Sequence, residues 1–326
     1  MKPRLTIIGL GRLGTSIGLA LKKTSAELEI VGHDKDRQAI GAAQKAGAVD
    51  KGEWNLYNAC EGAGLIVLAM PLAGVLENIN LLKDDVAPGV IVTDTASVKM
   101  PVLEAARVFK PGVHFIGGNP VFRPASDGTM PSGEAQTPSA DLFQNAVYCL
   151  TPSVTTEPDA VQVLTGFVSM LGAKPLFLDA MEHDGLAAGA QHLATVMEAT
   201  LLKTITASSG WRELNKFAGA ELYQATELAG GEPASTAQLL LTQRVPLQSW
   251  IDTYTQTLRE LKALLAQDDV AALEKWLSAA QQARALWLNN QVGTAEPTTD
   301  YSELRSGALR MFIGGLATRF GGEKKK

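Results

Sequence analysis

Cysteine is scarce: Cys60 and Cys149 are the only two in 326 residues. Two thiols so far apart build no disulfide framework, and they suit a reducing compartment where free cysteine behaves as a small buried hydrophobe. Histidine is nearly as rare, at four, and neither residue type falls at ligand spacing, so no metal site is expected. Positive charge is also in short supply. Charged residues make up 19%, the formal net charge is −5 and the pI is near 5.5, whereas a nucleic-acid partner demands a basic face. The terminal "KKK" reads as a solvated tail. Long apolar runs are missing too. "MKPRLTIIGLG" has too short a run for a secretory signal and passes straight into a glycine loop. "GAGLIVLAMPLAGVL" falls short of the roughly 20 residues a spanning helix needs, and it contains Pro71. These absences predict a cytoplasmic protein without a membrane or nucleic-acid partner.

What the chain has is apolar residue, 46% of it, enough for one large or two ordinary domains. "RLTIIGLG", "LEIVGHD", "AGLIVLAMP", "GVIVTDT", "VHFIGG", "AVYCLTP" and "KPLFLD" are continuous aliphatic runs of strand length, alternating with helical segments such as "TSIGLALKK" and "LAGVLENINLLKDD". That alternation predicts a parallel sheet covered on both faces, a doubly wound α/β domain over residues 1–179. From Ala180 no strand is evident. Leu186, Leu193, Met197, Leu201 and Ile205 fall at helical spacing, and so do Leu247, Trp250, Ile251, Tyr254, Leu258, Leu261 and Leu265. These stripes read as core or interface. "VAALEKWLSAAQQARALWL" is a further helix with Asp268 or Asp269 as its cap, so residues 180–326 form a second, all-helical domain.

Gly9, Gly11 and Gly14 make G-x-G-x-x-G between the first strand and the first helix. Gly9 serves a tight turn, Gly11 lets the backbone approach a pyrophosphate, and Gly14 lets helix and strand pack closely. The helix N-terminus offers unpaired N–H groups to the phosphates. Asp34 follows 20 residues after Gly14, where a carboxylate accepts from an adenosine ribose and repels a 2′-phosphate. The pattern predicts a Rossmann dinucleotide site. NAD is favoured, although Lys35 and Arg37 lie close enough for NADP to be tolerated. Arg12 and Leu13, between the glycines, and Met70 and Pro71, after the "LIVLA" strand, complete the expected cofactor set. A glycine-rich turn that binds nothing is the alternative.

The blocks "GLGRLGTSIGLALK", "TDTASVK", "FIGGNP" with "LFQNAVYCLTP", "EHDGLAAGAQHLATVM" and "GWRELNKFA" together resemble the prephenate and arogenate dehydrogenases of tyrosine biosynthesis, over most of residues 1–230. The resemblance implies a Rossmann domain, then a helical substrate domain through which two chains dimerise. It implies oxidative decarboxylation: hydride leaves the ring carbon bearing the hydroxyl for NAD(P)+, carbon dioxide leaves the opposite carbon, and the ring becomes aromatic. Ser97 sits where the family has a serine near the hydroxyl and nicotinamide, and Lys99 keeps that motif's lysine. His192 matches the first histidine of the family's Ser-His-Leu-Pro-His block, whose second histidine is Thr195 here. Glu213 and Lys216 stand for an acidic residue and a carboxylate-binding arginine. Lysine neutralises a carboxylate but lacks the two-pronged contact of arginine. Asn119 stands where the family's Gly-Gly-His-Pro has its catalytic histidine.

Asn119 is the largest departure. Gly117 and Gly118 would let the backbone come close to a ligand and Pro120 would stiffen the exit, which aims Asn119 at the substrate. An amide takes no proton at neutral pH, and losing a general base typically costs about a hundredfold to ten-thousandfold in rate. The competing reading has Asn119 capping a turn. His192 is the best replacement base, against a purely structural role. His183, beside Asp184, is expected at the start of its helix or at a domain contact, His33 near the cofactor at most, and His114 at the surface. Arg123, four residues after Asn119, could supply the guanidinium that Lys216 lacks, or be a solvated loop residue. Three readings stay open: a prephenate dehydrogenase-like enzyme on a carboxylated small molecule, a related dehydrogenase or reductase with a changed substrate, and a silent dinucleotide-binding protein.

Overall fold

A computed structural model describes residues 2–24, 27–124, 137–227, 232–289 and 312–316. The aliphatic runs become the strands of one sheet: β1 (Arg4–Ile8), β2 (Glu29–His33), β3 (Lys51–Gly52), β4 (Leu65–Leu68), β5 (Ile91–Asp94), β6 (His114–Val121), β7 (Val147–Thr151) and β8 (Lys174–Phe177). Their order is β3-β2-β1-β4-β5-β6-β7-β8. The helices between them are α1 (Arg12–Lys22), α2 (Arg37–Lys45), α3 (Leu56–Cys60), α4 (Leu72–Leu82), α5 (Met100–Ala106) and α6 (Pro158–Leu171). Strand order reverses beside β1, so the crevice above β1 and β4 is the switch point at which such sheets bind ligands. Gly9 follows β1 and Met70–Pro71 follow β4, which brings both loops to that crevice.

One joint corrects the fully parallel sheet expected from the strand runs. β6 and β7 are antiparallel, with Gly118 opposite Leu150 and Asn119 opposite Cys149. The chain between them has no helix among its described residues, and without a helical crossover a returning strand pairs antiparallel. A run of buried aliphatics reports burial, not direction.

The chain falls into two compact units, residues 1–180 with 277–326, and residues 181–276. Within the 180–326 expected to be helical, the described residues 277–289 and 312–316 group with the sheet. The cause is packing: Phe312 and Leu316 are fully buried in the same core as Phe167 and Val163. The Phe312 and Phe167 rings are 6.1 Å apart.

Beyond the sheet lie α7 (Ala180–Ala187), a π-helical turn (Ala188–His192), α8 (Leu193–Thr206), α9 (Trp211–Leu214), a short 3-10 turn (Asn215–Phe217), α10 (Ala220–Gln224), α11 (Pro233–Thr242), α12 (Arg244–Ala266) and α13 (Val270–Leu288). Asp269 is the cap of α13, accepting from the Ala272 N–H at 3.0 Å, while Asp268 takes φ 49° in the preceding turn. Of the α12 stripe only Leu247 is buried, and α8 buries none of its residues. Leu201, Leu258 and Leu265 are exposed in the single chain, so these stripes are not its core. No helix among the described residues is long and apolar enough to cross a membrane.

Candidate active site

The glycine loop is shaped by three different constraints. Gly9 has φ +94°, and a Cβ there would lie 2.5 Å from the Ala69 carbonyl oxygen. A Cβ on Gly14 would lie 1.8 Å from the Gly9 oxygen, so α1 can approach β1 only without a side chain. Gly11 has nothing within 4 Å of its would-be Cβ. No described residue therefore fills the space over Gly11, which caps α1 without a side-chain acceptor. A helix start of this kind favours an anion. Asp34 completes the loop: its Oδ2 accepts from Leu10 N–H at 2.7 Å and its Oδ1 from Asp36 N–H at 2.9 Å. Each oxygen retains acceptor capacity for a ribose diol. Arg37 lies over the Trp54 ring, 5.5 Å from its centroid, a cation–π contact that engages its guanidinium. Arg12 and Leu13 open α1, Met70 Sδ accepts from Asn78 at 3.3 Å, and Pro71 leads into α4.

A second cluster joins the ends of β5 and β6. Asp94, the last residue of β5, accepts from Ala96 N–H at 2.9 Å and from Gly118 N–H at 3.1 Å. Lys99 Nζ donates to Asp94 Oδ2 at 2.5 Å and to the Gly118 carbonyl at 2.6 Å. Both side chains are fully buried. One ion pair thus ties the loop carrying half-buried Ser97 to the strand carrying Asn119. Sequence reading passed over Asp94 as the end of a strand. The available signal was an acidic residue five before a lysine, both set among apolar neighbours.

Asn119 lies inside β6 and is 4% exposed. The turn-capping reading is overturned, because no turn exists there to cap. The reading of the preceding glycines also needs correction. A Cβ on Gly117 would meet Thr151 Oγ1 at 2.4 Å, and one on Gly118 the Asp94 carbonyl at 2.6 Å and the Tyr148 ring at 2.8 Å. They make room for protein neighbours rather than a ligand. Across the ladder, burial pushes the Cys149 thiol up to about 11 against the pull of Lys99. Burial, helped by the Asp94 charge, raises the Tyr148 hydroxyl above its ordinary range. Both stay protonated at neutral pH and are no substitute for a histidine.

The helical unit carries the other predicted residues. His192 closes the π turn and is 3% exposed. Burial lowers its pKa to about 4, with Asp184 pulling upward and His183 adding to the depression, so the imidazole is neutral at pH 7. His183 Nδ1 lies 2.8 Å from Asp184 Oδ1, and both side chains are buried. Thr195 is half-buried on α8. Lys216 pairs with Glu213 on an exposed face. In the sheet unit, Arg123 Nη2 donates to the Trp287 carbonyl at 3.2 Å, and His33 Nδ1 lies 2.9 Å from the Glu53 carbonyl oxygen. His114 is not at the surface as expected: its side chain is largely covered, with Nε2 3.6 Å from Glu157. Ser97, Asn119, Asp34 and Arg123 belong to the first unit, and His192, Thr195, Glu213 and Lys216 to the second.

Residues 17–176 match the family model for "Prephenate dehydrogenase, nucleotide-binding domain", and residues 179–279 that for "Prephenate dehydrogenase, dimerization domain". The chain belongs to the prephenate dehydrogenase family. A prephenate dehydrogenase of Lactococcus lactis subsp. cremoris is 28% identical over 296 residues, covering 86% of this chain and 76% of that protein. One from Bacillus subtilis is 27% identical over 288 residues, covering 87% and 76%. The crystal structure of the Aquifex aeolicus prephenate dehydrogenase with hydroxyphenyl propionate and NAD+ has a TM-score of 0.76 at 20% identity, covering 87% of this chain and 98% of that one. As a member of this family the chain is an NAD(P)-dependent oxidoreductase of the prephenate/arogenate dehydrogenase kind, with NAD as its cofactor. The geometry fits that cofactor: a Gly11 with no described atom over it, a helix start without a side-chain cap from Gly11, and a braced Asp34 carboxylate. Asp34→Ala removes a charged acceptor from both the loop and the ribose, an interaction worth about 1.5 kcal/mol or more. It should raise the KM for NAD+ about tenfold, measured by initial rates, with a smaller change for NADP+; an unchanged KM would exclude Asp34 from the cofactor site.

Proposed function

We propose that this protein oxidatively decarboxylates prephenate or arogenate in tyrosine biosynthesis, as a cytoplasmic homodimer joined through its helical unit. What supports the substrate class is the match of both family domains, in order, along one chain. What favours a working enzyme over a silent binder is the Asp94–Lys99 pair, which braces the Ser97 loop against the Asn119 strand at the end of the sheet where the cofactor loop also lies. The exposed leucines of α8 and α12 suit a dimer surface.

With its pyrophosphate held at the glycine loop, the dinucleotide would supply the hydride acceptor through its nicotinamide. Ser97 orients the substrate hydroxyl, and Asn119 hydrogen-bonds it without taking its proton. The neutral imidazole of His192 is the proton acceptor. Lys216 and Arg123 neutralise the substrate carboxylates, with Glu213 holding the Lys216 amine and Thr195 lining the site where the family has a second histidine. Loss of carbon dioxide aromatises the ring, and that driving force lets a weak base suffice. A second reading, a related dehydrogenase with a changed substrate, is favoured by the joint replacements at Asn119, Thr195 and Lys216.

The deciding experiment is NADH formation by purified protein with NAD+ and either prephenate or arogenate, with Asn119→His beside the native chain. Ordinary turnover on either compound supports the proposal. Silence of both proteins on both compounds, with NAD+ still bound, would move the assignment to another carboxylated substrate. In the same assay, loss of substrate affinity in Lys216→Ala but not in Arg123→Ala would remove Arg123 from the site.

A further inference from the structure

In a regular α-helix residues eight apart point about 80° away from each other, whereas residues seven apart fall within about 20°. Asp184 and His192 are eight apart, yet the helix joining them is not regular. Leu193 N–H donates to Ala188 O, five residues back rather than four, so the turn between them absorbs one residue. Asp184 and His192 are thereby brought to one face. The electrostatics agree: after burial, the Asp184 carboxylate is the strongest influence on the His192 ring.

A π turn is less favourable than the α turn it replaces, and such turns persist mainly at functional sites. Something must hold this one, and α12 supplies it. The Trp250 indole N–H donates to the Gly185 carbonyl at 3.2 Å. The same ring stands where a side chain at Gly189 would go, 2.5 Å from the would-be Cβ. Gly189 is not among the residues with positive φ, so the backbone does not require glycine there. The tryptophan does.

We infer that Trp250 is a positioning residue, which grips the π turn through Gly185 and Gly189 and so holds His192 in line with Asp184. The catalytic consequence rests on the assignment of His192 as proton acceptor. The positioning itself does not.

The test is imidazole ¹⁵N NMR at pH 5.5, with His192 identified through His192→Gln, combined with steady-state kinetics. In the native protein His192 should be protonated to only a few per cent. In Gly189→Ala, which forces the ring away, the protonated fraction should rise to about half or more as the ring leaves its buried place. Trp250→Phe keeps most of the ring but loses the N–H and should move His192 in the same direction by less. The kcat should fall about tenfold in Gly189→Ala with the KM for NAD+ unchanged. An unmoved His192 signal in both folded single variants would overturn the positioning role, whatever the kinetics. Native kcat in His192→Gln would instead overturn the acceptor role.

Discussion

Lys99→Met should lower the stability of the folded chain by about 3–5 kcal/mol, the cost of leaving one partner of a buried ion pair uncompensated. Methionine preserves much of the aliphatic stem, so the change isolates the ammonium from its packing. Asp94 would keep the Ala96 and Gly118 N–H groups as donors but lose the Lys99 cation, and the Gly118 carbonyl would lose the bond from Nζ. Neither group can reach water. The double variant Asp94→Asn/Lys99→Met removes the charge altogether while one amide oxygen still accepts, and it should regain most of the loss. Urea midpoints of the three proteins decide the matter. A single variant within about 1 kcal/mol of native would mean that water enters the cluster and that the pair braces nothing. If the double variant is stable yet slow, the pair is needed to hold Ser97 and Asn119 in register rather than to fold the sheet.

This pair also shows why some features could be read from the sequence and others not. The glycine loop was legible because its constraints are local: three glycines, a strand before, a helix after, and Asp34 at a set distance. The antiparallel β6–β7 joint was not, because buried strands have similar composition in either direction. The Gly117–Gly118 pair misled for a related reason. A glycine signals close approach without saying of what, and here the approaching atoms are Thr151, Tyr148 and the Asp94 carbonyl. The π turn was not legible, since the glycine in "LAAGAQHL" marks a close approach without saying that the helix gains a residue there. The turn is fixed by a tryptophan some sixty residues further along. The grouping of Phe312 and Leu316 with the sheet is tertiary in the same sense. The proposed substrate-side residues came from the family blocks alone, because no local spacing rule marks them in one sequence.

Acid should weaken this protein through His192. The ring has an ordinary pKa of 6.5 when solvated and about 4 in the folded chain. Between those values the unfolded chain binds a proton that the folded chain refuses. The contribution is therefore complete above pH 6.5 and is lost as the pH falls toward 4, amounting to about 3 kcal/mol across the window. Unfolding free energies from urea titrations at pH 7.5 and 4.5 should differ by about 2.5 kcal/mol more in the native protein than in His192→Gln. Glutamine does not titrate, so an equal acid loss in the two proteins would place the sensitivity elsewhere and the imidazole nearer to solvent. With His192 as the proposed proton acceptor, the same proton would limit catalysis. A base that stays neutral down to pH 4 keeps kcat/KM flat through the range where a solvated histidine would switch off, and the acid limb should fall near pH 4 rather than 6.5. Burial thus makes His192 a weaker base than an exposed histidine but an available one at every neutral pH. That exchange is tolerable only where proton removal is not the hard part of the reaction, and in the proposed reaction the ring about to become aromatic would meet that condition.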